Sequence, residues 1–196
     1  MRGGTYHHGD LRRVILDAAV EAISESGPAG WSLRELARRA GVSHAAPAHH
    51  FGDKAGLLTA VAARGYALFA DALEAAGGDL YEVGLAYVRF AVDHRPYFEV
   101  IFSPGLYRED DPEVAAARDR ASRVLTRGVR GVSADGEGDG DGERAGGRGA
   151  DRTASIAAWS IVHGFAHLWL SGALPRDLGD DPVAAAGPVI RLLFAR

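Results

Sequence analysis

The chain has 196 residues, 47% of them hydrophobic and 24% charged, which is long enough to bury a core and too apolar for wholesale disorder. Cysteine is absent, so disulfides and thiolate metal or nucleophile chemistry are excluded, and the usage fits a reducing cytoplasm. The formal net charge of −4 is uneven: residues 1–64 hold eight Lys/Arg against six acids and five of the eight histidines, leaving fourteen basic and twenty acidic side chains for the remainder, a polarity expected when one end of a chain meets a polyanion.

Residues 1–10 lack the apolar stretch of a signal peptide, so a cytoplasmic protein is expected. From Leu11 the apolar positions Val14, Ile15, Ala18, Ala19, Ala22 and Ile23 trace one buried helical stripe, which Gly27 and Pro28 stop. Ser32 and Glu35 form an S-x-x-E capping box ahead of a short helix whose inner face is Leu33, Leu36 and Ala37, and Gly41 supplies its left-handed exit. Ser43 follows after one residue as the next candidate cap, so two short helices must meet steeply across a tight turn, which is helix-turn-helix geometry. Gly52 and Asp53 then end a third helix and cap a long fourth.

Helical periodicity continues from Leu80 to His94, restarts at Pro96, stops at Ser103 to Gly105, and resumes over Pro112 to Arg130. Residues 133–151 are dominated by glycine and acid and are expected to form a disordered loop. A helix from Arg152 ends before Pro175, and a last one starts with Asp181 as cap and Pro182 as first residue. No stretch alternates with period two, so the fold class is all-α: a three-helix head over residues 1–54 and a helical body over 55–196.

The segment SLRELARRAGVSHAAPAHHFGDKAGLL, residues 32–58, puts His44, Ala45, Ala46, Ala48 and His49 near the start of a short helix whose positive dipole end can face phosphate. Leu36 Ala37, Ala40 to Ser43, His50 Phe51, and Lys54 with Leu57 Leu58 make this segment closely similar to the DNA-binding domain of the tetracycline-repressor (TetR) family. The resemblance implies that Ser43 to His50 lies in the major groove of operator DNA, with Ser32, Arg34 and Lys54 completing the contact. It also implies that the second half is a dimerising sensor of a small-molecule effector. Two positions depart from the family: Ala48 stands where it usually has a tyrosine that holds the DNA backbone, and Pro47 is expected about four residues into the recognition helix, where it would remove a donor and crowd the preceding turn.

In the second half, Trp159, His163 and Gly164 resemble the W-x-x-x-H-G signature of a subgroup of TetR ligand domains. The surrounding helix is apolar almost all round and must be buried on more than one side, so it and the last helix are expected to form a homodimer interface through Ile156, Phe165, Trp169, Val183, Ile190 and Leu193. A membrane span is the competing explanation for so apolar a run, and the polar Ser160, His163, His167 and Ser171 argue against it. His163 and His167 are one turn apart, as in H-E-x-x-H zinc enzymes, but Gly164 replaces the catalytic glutamate, and the pair is expected to line an effector pocket with Trp159, Tyr97, Phe98 and Phe102. No cofactor or metal is expected. The alternatives are a metal-dependent enzyme using the two histidines and a helical interaction module without operator specificity.

Overall fold

A computed structural model describes residues 8–134 and 146–192, with only the backbone path over 8–10, 129–134 and 146–151. Among the described residues there are nine α-helices, one 3-10 turn at Arg176–Leu178 and no strand. The helices are α1 (His8–Ser26), α2 (Leu33–Arg39), α3 (Ala46–Phe51), α4 (Lys54–Ala75), α5 (Leu80–Asp93), α6 (Arg95–Ile101), α7 (Pro112–Ala134), α8 (Gly146–Leu170) and α9 (Pro182–Arg191). The all-α expectation therefore holds, and most helix ends fall where the caps put them. Asp53 accepts from the Gly56 amide at 2.7 Å, Asp79 from that of Glu82 at 3.0 Å, and Asp181 from those of Val183 and Ala184 at 2.9 and 3.1 Å, satisfying first-turn donors that have no partner within the helix.

The segment expected to be a loop over 133–151 is narrower on both sides. α7 runs to Ala134 and α8 starts at Gly146 rather than Arg152, because a helix once nucleated extends by one hydrogen bond per residue fixed. Residues 135–145, the middle of that segment, lie outside the described residues.

The chain divides into two compact units, one of residues 1–66 and 94–116 and the other of 67–93 and 117–196. The first takes in the start of α4, all of α6 and the start of α7. Its core joins Ile15, Ala19 and Ile23 of α1 to Leu36 and Ala37 of α2, Leu57 and Val61 of α4 and Val100 and Ile101 of α6, each almost fully buried. In the second unit α5 packs against both α8 and α9, burying Val83, Tyr87, Val88 and Phe90 with Val162, Phe165, Ala166 and Ile190. One described helix, α4, is long and apolar enough to cross a membrane by length and composition, and most of its apolar window is buried inside the protein.

Candidate nucleic-acid interface and effector site

The turn between α2 and α3 closes as the sequence pattern requires. Gly41 has φ +65°, the Gly41 amide donates to Arg38 carbonyl oxygen at 3.3 Å and the Val42 amide to that of Ala37 at 3.0 Å, a paired motif that ends α2 and turns the chain. At the other end, Ser32 Oγ accepts from the Glu35 amide at 3.2 Å. The return half of the capping box is replaced, because the Glu35 carboxylate accepts from Arg38 Nη2 at 2.7 Å and Arg39 Nε at 3.1 Å instead. Those two guanidinium groups hold the Glu35 carboxyl down to about 2 from its usual 4.5. Arg39 also pairs with Glu25, tying α2 to the end of α1.

Recognition-helix geometry corrects three expectations. Ser43 is not the cap: α3 begins at Ala46, Ala45 precedes it with no side-chain bond, and the Ala46 amide donates to Ser43 carbonyl oxygen at 3.0 Å, so His44 and Ala45 sit in the turn rather than in the helix. Pro47 is the second residue of α3, where an amide would have no intrahelical partner, so it fits the helix without a lost bond. Ala46 is buried and cannot reach a base. Ser32, Arg34, Ser43, His44, Ala45, Ala48 and His49 are exposed, and His50 is half-buried. Small side chains at 45 and 48 leave this surface flat, with the His44 and His49 imidazoles projecting from it.

Lys54 does not present its charge outward. Its Nζ donates to Ala29 and Trp31 carbonyl oxygens at 2.9 and 2.7 Å and lies 4.3 Å from the Trp31 ring centroid, and burial lowers its pKa. This lysine staples the loop before α2 to the start of α4, with a cation–π contact added. Arg12, which sequence reasoning passed over, stacks 5.0 Å over the Phe51 ring at the end of α3 and is exposed.

In the second unit Trp159 Nε1 donates to Tyr87 Oη at 3.1 Å, and Tyr87 Oη lies 2.9 Å from His163 Nδ1. An indole N–H only donates, which leaves the phenolic proton free to bridge to Nδ1, an arrangement that puts the proton of neutral His163 on Nε2. Burial, and then the His167 charge, lower the His163 pKa, which favours the neutral imidazole. The His163 and His167 rings stack at 6.5 Å, with no third ligand to complete a metal site among the described residues. Beside the relay, Leu80, Val83, Gly84, Leu125, Trp159 and Val162 line a small apolar cavity of about 20 Å³.

Tyr97, Phe98 and Phe102 belong to the first unit and Trp159, His163 and His167 to the second. The interface set divides by burial instead. Ile156 is exposed, as are Trp159 and Leu168 on the same helix, while Trp169 and Val183 are half-buried. Phe165 and Ile190 are 6% and 1% exposed and are core residues of their own unit, and Leu193 lies outside the described residues. One side of α8 packs on α5 and α9, while Ile156, Trp159 and Leu168 stay exposed at other points around the helix. Tyr87 was missed because nothing local marks it: on α5 it reads as one more apolar-stripe residue, and its partners are 72 and 76 residues away.

A family model described as "Bacterial regulatory proteins, tetR family" matches residues 15–61, and one described as "Tetracyclin repressor-like, C-terminal domain" matches residues 80–192, more than half of the chain. The chain belongs to the TetR family. Within it, the HTH-type transcriptional regulator BetI of Escherichia coli (strain K12 / DH10B) is 49% identical over 49 residues, a match that spans 25% of this chain and only 25% of that relative's length. Likeness in structure runs the whole length: a protein of unknown function from Rhodococcus sp. RHA1 has a TM-score of 0.71 at 33% identity, covering 98% of this chain and 97% of its own. AibR, solved in complex with isovaleryl coenzyme A and operator DNA, shares the fold at a TM-score of 0.65 and 17% identity, over 94% of this chain and 98% of its own. As a TetR-family regulator this chain has a DNA-binding domain and a ligand-binding domain.

Proposed function

We propose that this TetR-family chain is a cytoplasmic repressor that binds a palindromic operator as a homodimer and releases it when an effector enters the second unit. The observation that carries the reading is the α2–α3 corner, turned on Gly41, which leaves Arg34, His44, Ala45, Ala48 and His49 exposed on two short helices and the turn between them. Recognition lies within residues 1–54 and effector response within 55–196. Dimerisation uses the exposed side of α8 around Ile156 and Leu168, since a single head makes too few phosphate contacts for tight binding.

The effector site is built on Trp159, Tyr87 and His163, within the W-x-x-x-H-G subgroup of the family. The cavity beside them is far smaller than the roughly 300–1,000 Å³ of a typical ligand site, so binding requires the 42% exposed Trp159 ring to move. A ligand that enters displaces apolar contacts and meets few polar groups, which suits a mostly apolar molecule with a single hydrogen-bonding function. In AibR, which shares the fold, one protein takes both kinds of partner, isovaleryl coenzyme A and operator DNA.

Selecting duplexes from a random pool with the intact protein, followed by gel shift and sedimentation, tests the first part: enrichment of a two-fold symmetric site by a dimer is expected, and a monomer or an unenriched pool would overturn it. Trp159→Ala tests the second. It is expected to weaken release by whatever effector a small-molecule screen identifies while leaving operator affinity within about threefold, the size of a surface change. Equal loss of both would make Trp159 a core residue only.

A further inference from the structure

The stretch between α6 and α7 reaches back to the corner that holds the recognition helix. Arg108 Nη2 bonds both carboxylate oxygens of Asp53, at 3.1 and 2.9 Å, and Asp53 is the residue that caps α4 immediately after α3 ends. The Arg108 backbone amide donates to Thr59 Oγ1 at 3.0 Å, and the buried Thr59 hydroxyl in turn donates to Ala55 carbonyl oxygen at 2.7 Å. Gly56 leaves room for this arrangement. A Cβ there would stand 2.8 Å from Arg108 Nη1 and 2.0 Å from Phe51 carbonyl oxygen, so the guanidinium and the last turn of α3 converge on the same missing side chain.

The arm that delivers Arg108 is itself fixed. Tyr107, 6% exposed, donates from Oη to Ile101 carbonyl oxygen at 3.1 Å, and Tyr66 Oη reaches the same oxygen at 3.0 Å. On the other side Asp111 caps α7 through the Glu113 and Val114 amides. All of these residues lie in the first unit, although Arg108 is 47 residues beyond the end of the stretch matched by the family's DNA-binding model.

We infer that Arg108 is a positioning residue for DNA recognition: it acts through Asp53 and Thr59 to fix the start of α4, and with it the end of α3, at the angle that DNA requires. The inference rests on the repressor reading above. An exposed ion pair alone contributes little, but here Nη2 meets both Asp53 oxygens and the Arg108 backbone amide is bonded to a buried hydroxyl, so less freedom is lost in holding the pair.

The test measures binding of the intact protein to a duplex it has selected from a random pool, at two salt concentrations, together with thermal unfolding. Arg108→Ala is expected to weaken binding on the order of fivefold, with the slope of log affinity against log salt unchanged. Asp53→Asn, which keeps a good capping side chain but loses the carboxylate, is expected to weaken binding similarly, and the double variant no further than either alone. Arg108→Lys restores part of the loss. Unchanged affinity in Arg108→Ala would overturn the inference alone. So would a loss with a shallower salt slope, which would make Arg108 a phosphate contact, or additive losses in the double variant. A wild-type chain that enriches no duplex overturns the repressor reading as well, so the two failures are told apart by the wild type.

Discussion

The two units handle polar groups in opposite ways. In the first, the polar groups that shape the recognition corner sit at or near the surface and bond chiefly within a few residues, Glu35 to Arg38 and Arg39, Ser32 to the Glu35 amide and Asp53 to the Gly56 amide, with Arg39–Glu25 and Arg108–Asp53 as the longer-range pairs. In the second, the central group is a phenol with no exposed surface, Tyr87, joined to an indole and an imidazole from a helix far along the chain. A surface that must meet water-borne phosphate keeps its donors outside. On the proposed reading of the second as an effector site, a few polar groups placed where the dielectric is low gain strength.

The largest effect should come from breaking the buried side of this contrast. Tyr87→Phe removes the hydroxyl that accepts from Trp159 and bonds to His163 Nδ1, and is expected to cost about 1–2 kcal/mol, the lower part of the range for unsatisfied buried partners because Trp159 can regain water. Because burial and His167 hold the folded-state pKa of His163 below its ordinary 6.5, the unfolded chain takes up the proton first as pH falls. That contribution is fully present above 6.5 and is lost as pH drops from 6.5 through the lower folded value. Without the Tyr87 donor the pKa should rise and the window narrow. Denaturant titrations at pH 7 and pH 5, with the His163 ring followed by NMR, check both effects, and a variant whose imidazole titrates as in the wild type would show that the phenol does not set the tautomer.

A smaller gain is expected on the exposed side. Ala48 projects from α3 into solvent, so Ala48→Tyr has room to extend toward a phosphate and should add about 0.5–1.5 kcal/mol per half-site through an uncharged hydrogen bond. Operator and scrambled DNA should gain equally, with the salt slope constant. A loss confined to operator, at unchanged thermal stability, would mean that position 48 meets a base edge where a ring cannot fit.

The smallest effect concerns Glu35. Held near 2 by Arg38 and Arg39, its carboxylate stabilises the fold above the ordinary 4.5, and that stabilisation is lost as pH falls from 4.5 toward 2. The group lies at the surface, so solvent screens the gain. Comparing wild type with Glu35→Gln by urea midpoint at pH 6 and pH 3 should show a modest advantage for the wild type at the higher pH that shrinks at the lower one, and an equal advantage at both would discount the ion pairs.

Much of the first unit was legible because its determinants lie within a few residues of one another. Ser32 and Glu35, Gly41 and Asp53, like Asp181 in the second unit, are short-range signals, and each ended or started a helix where the sequence put it. The sequence also determined the helical class, since the apolar stripes need only 3.6-residue periodicity. It did not determine where α3 begins, because a backbone turn at Ser43 competes with a serine cap and burial of Ala46 and Pro47 decides between them. The charge of Lys54 looked available for DNA until packing brought Trp31 beneath it. Phe165 and Ile190 looked the same as Ile156 in an apolar run, and only the side on which α5 lies distinguishes core from surface. Arg108 with Asp53, and Tyr87 with His163, are pairs separated by 55 and 76 residues. No local pattern encodes such pairs, because their energy exists only once the intervening chain has folded and brought the partners within hydrogen-bonding distance.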